Sequence, residues 1–114
     1  VAGLDLFAQH PDRALVERAL ESVEFLVVQD VRRTETTDYA SVVLPMTAPA
    51  ETDGTYTNVS GIVQPLAQIL RPLGQAKPVW RTMTELMLRL KPARPFIQAR
   101  DVYEDLAARN PNFA

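Results

Sequence analysis

A polar stretch between residues 51 and 58 contains the side chains of this sequence that are best suited to chemistry. Glu51 and Asp53 are two acids separated by one residue, and such a pair can act as general acid and general base. The alternative is a solvated turn in which Asp53 accepts a hydrogen bond from nearby backbone. Hydroxyl and amide side chains around this stretch could bind a nucleotide or a pterin, or could satisfy loop backbone. They are Thr34, Thr36, Thr55, Thr57 and Asn58.

Other catalytic arrangements find little support in the composition. His10 is the single histidine, and a metal site built on it would need three further ligands, so an exposed loop or cap residue is the favoured interpretation. The sequence has no cysteine, which excludes a cysteine nucleophile and a Cys-ligated iron–sulfur cluster within these residues. It also has no nucleophile elbow and no glycine-rich phosphate loop. Residue chemistry alone predicts no catalytic residue and no metal site.

The overall composition is that of a globular domain. Of the 114 residues, 46% are hydrophobic and 23% are charged, and the formal net charge is −2. Basic and acidic residues are interspersed, which argues against nucleic-acid binding. The apolar runs are far shorter than the ~20 residues that span a bilayer, so no membrane insertion is expected. Because the first residue is Val1, we expect the chain to be a piece of a longer polypeptide.

The first half of the chain has the pattern of alternating strands and helices. Residues 12–22 place their apolar side chains on one face, which predicts an amphipathic helix with Pro11 at its first position. Continuous apolar runs predict buried strands at residues 23–29 and 41–44. A short helix at residues 34–40 separates the two strands, and residues 1–5 could form an earlier one. The order is βαβαβ, which is typical of a parallel sheet.

The second half is expected to be less regular. Residues 47–58 read as loop, in which Gly54 is expected to have a positive φ, and residues 62–64 could be briefly extended. Helices are predicted at residues 78–90, with Trp80 and Met83 in the core, and at residues 98–109. The predicted fold class is therefore α/β, a fragment of a doubly wound parallel sheet followed by a long loop and two helices. Residues 1–64 form the α/β portion, and residues 65–114 form an irregular linker and C-terminal helices that pack on it.

Three motifs occur in order along the chain. The first is the apolar run at residues 26–30, followed by Thr34-Glu35-Thr36 and then by Val42-Val43-Leu44-Pro45. The second is Glu51-x-x-Gly54-Thr55-x-x-Asn58-x-x-Gly61-x-x-Gln64. The third is Gly74-Gln75-Ala76-Lys77-Pro78-x-Trp80, which opens a helix. Over residues 23–90 this array resembles the molybdopterin oxidoreductase superfamily. Within that superfamily it looks most like the large iron–sulfur subunits of NADH:quinone oxidoreductase, respiratory complex I.

The resemblance implies a doubly wound α/β domain whose strand–loop junctions face a cofactor cleft. In the molybdenum enzymes of the superfamily that cleft holds a pterin guanine dinucleotide. In the complex I subunits the fold is kept and the molybdenum cofactor is lost, while iron–sulfur clusters lie in a Cys-rich part outside the region matched here. Carried over to this chain, the residues at the cofactor place, expected to be vestigial, are Thr34, Thr36, Glu51, Gly54, Thr55 and Asn58.

Departures from the family pattern favour a structural role. Ser41 stands where the family has an aspartate, and Ser60-Gly61-Ile62 stands where it has Glu-Gly-Arg. Loss of that arginine removes a planar phosphate donor. We therefore expect a non-catalytic structural portion of the complex I large subunit, which supports electron transfer from NADH to quinone in the whole complex. No cofactor is expected in the segment itself.

The partners that the resemblance implies are the remainder of the same chain and other complex I subunits. The expected location is peripheral, on the cytoplasmic side of the inner membrane. The alternative is the pterin-dinucleotide-binding portion of a formate dehydrogenase-like molybdenum oxidoreductase. In that case Thr36, Glu51, Thr55 and Asn58 would lie near the dinucleotide.

Overall fold

The computed structural model describes residues 1–110 and contains a small parallel sheet. Its two strands are β1, Val27–Asp30, and β2, Val42–Pro45, paired in parallel with Val27 opposite Val42. Residues 1–3 run along the free side of β1, where the N–H of Gly3 donates to the carbonyl of Gln29 at 2.8 Å. On the other side, Met46 forms a parallel bridge with Lys77. The predicted α/β class and parallel pairing are confirmed.

Five helices and a β-hairpin complete the described part of the chain. A 3-10 turn, Pro49–Glu51, precedes the hairpin. The helices are α1, Leu6–Gln9; α2, Arg13–Glu21; α3, Glu35–Asp38; α4, Val79–Leu90; and α5, Ala99–Arg109. The hairpin strands are β3, Gly54–Thr57, and β4, Val63–Leu66. Among residues 1–110, none of the helices combines the length and the apolar character that crossing a membrane requires.

Helix α2 supplies the apolar face of a compact core. Asp12 is its N-cap, and the carboxylate accepts a hydrogen bond from the N–H of Leu15 at 3.0 Å. Pro11 therefore lies before the cap, and its expected place inside the first turn is wrong, because the Asp12 side chain already satisfies the helix start. Val16 and Leu20 face β1 and pack with Leu26 and Val28. Partly buried side chains close the cluster: Leu6, Phe7, Tyr39 and Ala40.

The stretch expected to be a long loop contains the antiparallel β3–β4 hairpin. Gly54 pairs with Leu66, and Thr57 pairs with Val63. Gly54 does not have the positive φ expected of it, because it begins an extended strand, whereas Gly61 in the hairpin turn has a φ of 78°. Strand β4 runs across the predicted boundary between residues 64 and 65.

Helix α4 presents its threonines to the sheet. Thr82 is buried and its hydroxyl accepts from Nε2 of Gln29 at 2.9 Å, while the buried Thr84 donates to the carbonyl of Trp80. Met83, expected in the core, is 47% exposed, because the polar bond to Gln29 turns the Thr82 face inward. The predicted starts of α4 and α5 differ from the observed ones by a single residue. The last four residues of the predicted C-terminal portion, 111–114, lie outside the described residues.

Candidate functional site

The carboxyl ends of the parallel segments meet at one edge of the sheet, where ligands of open α/β folds bind. At the end of β1 the chain turns into α3 through Thr34, the N-cap of that helix. The Thr37 hydroxyl bonds the Thr34 backbone twice, accepting from its N–H and donating to its carbonyl at 2.6 Å. The Thr34 hydroxyl itself is shielded from solvent and has no hydrogen-bond partner within residues 1–110. The hydroxyl is therefore enclosed within the first turn of α3, at the edge of the sheet where the resemblance places a ligand.

Thr36, the second residue expected at this edge, is fully buried and bonded within the protein. Its hydroxyl donates to Oδ1 of Asp5 at 2.8 Å and accepts from the N–H of Leu6 at 2.8 Å. Asp5 also caps the short helix α1, whose Phe7 N–H reaches the same oxygen at 3.3 Å. Thr36 thus fastens the turn after residues 1–3 to the turn after β1.

Glu51 and Asn58 shape the loops on which they lie. The Glu51 carboxylate accepts from the N–H of Ala48 at 2.9 Å across the 3-10 turn. The Asn58 side-chain oxygen accepts from the N–H groups of Ser60 and Ile62, both at 3.0 Å, and so closes the β3–β4 turn. These bonds agree with the alternative interpretation, in which the polar side chains of this stretch satisfy the backbone of the loop.

Asp53 is engaged in the same way as Glu51. One of its carboxylate oxygens accepts from the N–H of Gln68 at 2.7 Å, which ties the start of the hairpin to the chain that leaves it. Both acids of the candidate acid–base pair therefore bind backbone amides. His10 is exposed, and its Nδ1 accepts from the N–H of Asp12 at 3.1 Å. No group of three His, Asp or Glu side chains within residues 1–110 is arranged to hold a metal ion.

A cleft of about 500 Å³ lies between the hairpin, the start of α4 and α5. A volume of this size is in the range of small-molecule sites. Gly54 and Thr55, two of the residues expected at the cofactor, line it together with Asp53. The remaining walls are mostly apolar and include Leu66, Val79 and Val102. None of the described lining residues is a lysine or an arginine.

Thr47 and Trp80 also line this cleft, and sequence reasoning missed them as site residues. Thr47 is 4% exposed, and its hydroxyl has no hydrogen-bond partner among the described residues. The indole Nε1 of Trp80 is likewise shielded from water and unpaired within the described part of the chain. A buried donor without an acceptor costs about 1–3 kcal/mol. Because protein atoms surround both donors, neither faces the open space of the cleft.

The start of α4 forms another part of the cleft wall. Pro78 is the N-cap residue and makes no side-chain hydrogen bond to the helix, and both Pro78 and Val79 line the cleft. The first N–H groups of an α-helix have no partners within the helix and carry its positive dipole end. The one signal in the sequence that pointed here was the Lys77-Pro78-x-Trp80 motif at a helix start.

The family model described as molybdopterin oxidoreductase matches residues 1–89. The chain belongs to the molybdopterin oxidoreductase family.

Individual relatives cover almost the whole chain. The chain is 38% identical over 112 residues, 98% of its length, to the NADPH-Fe(3+) oxidoreductase subunit alpha of Geobacter sulfurreducens. It is 41% identical over 99 residues, 87% of its length, to a putative formate dehydrogenase of Bacillus subtilis, and 36% identical over 99 residues to one of Staphylococcus haemolyticus. The chain spans 13% of the first relative and 10% of each of the other two. These names support the formate dehydrogenase-like alternative better than the complex I assignment expected from the sequence.

Proposed function

We propose that this chain is a pterin-dinucleotide-binding portion of a formate dehydrogenase-like molybdenum oxidoreductase. The observation that carries the proposal is the place of Gly54 and Thr55, two residues expected at the cofactor, on the wall of the cleft of about 500 Å³. Family membership supports it, since two of the relatives described above are putative formate dehydrogenases.

The six residues expected at the cofactor divide into two functional sets. Gly54 and Thr55 line the cleft and Thr34 lies at the end of β1, and these three would lie nearest the dinucleotide. The other three hold the turns in place for the first set. They are Thr36, Glu51 and Asn58.

Charged groups near Thr34 suit a phosphate. Arg32 and Arg33 follow β1 at the same edge, and the guanidinium of Arg33 pairs with Asp38 at 3.1 Å. The exposed Arg32 carries a planar cation that can bind phosphate oxygens in pairs. It would replace the phosphate donor that the family pattern has at Ile62. When bound, a molybdenum–pterin group supplies two-electron redox chemistry, and the residues of this chain would bind and orient it.

The complex I assignment, with its partners and its peripheral place at the inner membrane, stays a prediction. It requires that the full-length protein contain neither molybdenum nor tungsten. The proposed function requires that the full-length protein contain the metal and the pterin in amounts comparable to the polypeptide. Metal analysis and pterin fluorescence of the intact protein after oxidation therefore decide between the two.

A matched pair of variants links the result to this chain. Thr34→Val removes the free hydroxyl and keeps the shape of the side chain, so the cofactor content of the purified protein should fall. Thr34→Ser restores the hydroxyl and should retain the cofactor. An intact wild-type protein without pterin would overturn the proposal, and so would a Thr34→Val protein with the same cofactor content as wild type.

A further inference from the structure

A second pocket, the α4 pocket, has a volume of about 460 Å³ and shares no lining residue with the cleft described above. Thr82, Glu85 and Arg89 line it from α4, because residues three and four positions apart lie on one face of a helix. The end of β2 contributes Leu44 and Pro45 to the wall. The volume is in the range of small-molecule sites.

The one carboxylate that lines the α4 pocket is already paired. Nζ of Lys77 donates to both oxygens of Glu85, at 2.9 and 2.7 Å, and Nε of Arg81 lies 3.6 Å from one of them. The hydrogen bonds from Lys77 hold the pKa of Glu85 below its ordinary value of 4.5. Glu85 is therefore ionised at neutral pH, and Lys77 and Arg81 offset its charge.

Arg89, one turn further along α4, is the cation that remains available. Among residues 1–110, no carboxylate pairs with its guanidinium. Because Lys77 and Arg89 line the pocket together with the single acid Glu85, the lining contains one more cation than anion. A singly charged anion balances this lining, whereas a doubly charged phosphate would need a further cation.

The rest of the wall indicates what the anion carries. Leu44, Pro45 and Leu86 offer an apolar surface beside the planar guanidinium, whose geometry matches a carboxylate. We propose that the α4 pocket binds a small aliphatic monocarboxylate. The carboxylate lies on Arg89, and the aliphatic body covers the apolar wall. The inference does not depend on the proposed function, because the two pockets have no lining residue in common.

A buried side chain holds the walls of the α4 pocket together. Nε2 of Gln29, a residue that is 1% exposed, donates to the carbonyl of Lys77 at 3.0 Å and to the hydroxyl of Thr82 at 2.9 Å. The N–H of Lys77 donates in turn to the carbonyl of Pro45 at 3.2 Å. Helix α4 and the end of β2 are therefore fixed to each other without a ligand, which lowers the cost of binding one.

Calorimetric titration of the full-length protein with hexanoate tests the inference. Two further probes, 1-hexanol and formate, are titrated in separate arms. Hexanol has the aliphatic body without the charge, and formate has the charge without the body. We expect hexanoate to bind, and we expect each of the other two probes to bind about tenfold more weakly or less.

Variants then assign the binding to the α4 pocket. Arg89→Gln should weaken hexanoate binding about tenfold, and Arg89→Lys should weaken it less, because it keeps the charge and loses the planar fork. Leu86→Ala reduces the apolar wall and should weaken binding about threefold to tenfold. Arg18→Gln removes an exposed arginine of α2 and should leave the affinity unchanged.

Arginine modification by phenylglyoxal, followed by mass spectrometry, gives a second measurement. Hexanoate should slow the modification of Arg89 and leave that of Arg18 unchanged. Three results would overturn the inference: wild-type protein that does not bind hexanoate, Arg89→Gln protein that binds it like wild type, or an Arg89 that resists phenylglyoxal without ligand. The last result would show that another protein segment covers the pocket.

Discussion

The hydroxyl of Thr36 donates to Oδ1 of Asp5 at 2.8 Å and so joins the ends of two neighbouring parallel segments. The same hydroxyl accepts from the N–H of Leu6, which begins α1. Two backbone segments, the turn at Asp5 and Leu6 and the turn after β1, meet at one side chain that is fully buried. The strand edge at which a dinucleotide would bind is therefore fixed by bonds inside the protein before any ligand arrives.

Thr36→Val should loosen this edge. The substitution keeps the volume, leaves the Leu6 N–H without a partner and leaves Oδ1 of Asp5 with only the Phe7 N–H, at a cost of about 1–3 kcal/mol. Hydrogen exchange measured by mass spectrometry should show faster exchange in the peptide that contains Leu6. Thr36→Ser should exchange like wild type, and an unchanged rate in Thr36→Val would show that the bond contributes nothing to the edge.

Leu20→Ala should destabilise the core that carries the sheet. Leu20 is 7% exposed and packs against β1, so the cavity left behind costs about 2–5 kcal/mol. Leu15 on the same helix is 47% exposed, and Leu15→Ala should cost much less. Hydrogen exchange of the β1 backbone amides measures the loss of stability in each variant. Equal losses in the two variants would show that Leu20 contributes no more to the core than the exposed Leu15.

The elements that the sequence predicted are those whose signal is local. Helices α2, α4 and α5 repeat their apolar side chains at helical spacing, and each was predicted to within one or two residues at its start. Short apolar runs located strands β1 and β2, but the burial expected of both strands holds only for β1. Val42 and Val43 of β2 are 38% and 48% exposed, because the buried cluster lies on the side of α2 and β1, so the predicted burial of that strand is wrong. The hairpin was missed because β3 and β4 are largely exposed, so neither shows the alternation that a half-buried strand leaves in its sequence.

The candidate site was predictable in part for a similar reason. Thr34, Gly54 and Thr55 lie in motifs that can be read as continuous stretches. Thr47 and Trp80 line the same cleft because Lys77 forms a parallel bridge with Met46 beside β2. Only the folded chain shows that bridge. That their donors are unpaired is a property of the surroundings and not of the residue types.

Asn58→Ala should open the β3–β4 hairpin. The side-chain oxygen of Asn58 accepts from two backbone N–H groups, those of Ser60 and Ile62, and its loss should cost about 1–2 kcal/mol. Exchange should accelerate in the peptides that cover β3 and β4 and stay unchanged in α2. Asn58→Asp keeps the acceptor and serves as the control; protection retained in Asn58→Ala would mean that strand pairing alone holds the hairpin.

The start of α5, which forms one wall of the cleft, should depend on pH through Asp101. The carboxylate accepts from the N–H of Ile97 at 2.8 Å and of Gln98 at 3.1 Å, and these bonds hold the pKa of Asp101 below its ordinary value of 3.8. Because the folded pKa is the lower one, the stabilisation is complete above about pH 4 and is lost as the pH falls through the folded pKa.

Carbonyl-carbon NMR titration of the Asp101 side chain should therefore give a midpoint below 3.8. Asp101→Asn should fray the first turn of α5 at neutral pH and remove the acid-induced change there, because the amide cannot gain or lose the charge that strengthens these bonds. Asp105→Asn on the same helix, where the carboxylate pairs with Arg109 at 2.9 Å, should leave that first turn intact. A midpoint at or above the ordinary value would show that the two amides do not stabilise the carboxylate, and that the cleft wall is set by packing alone.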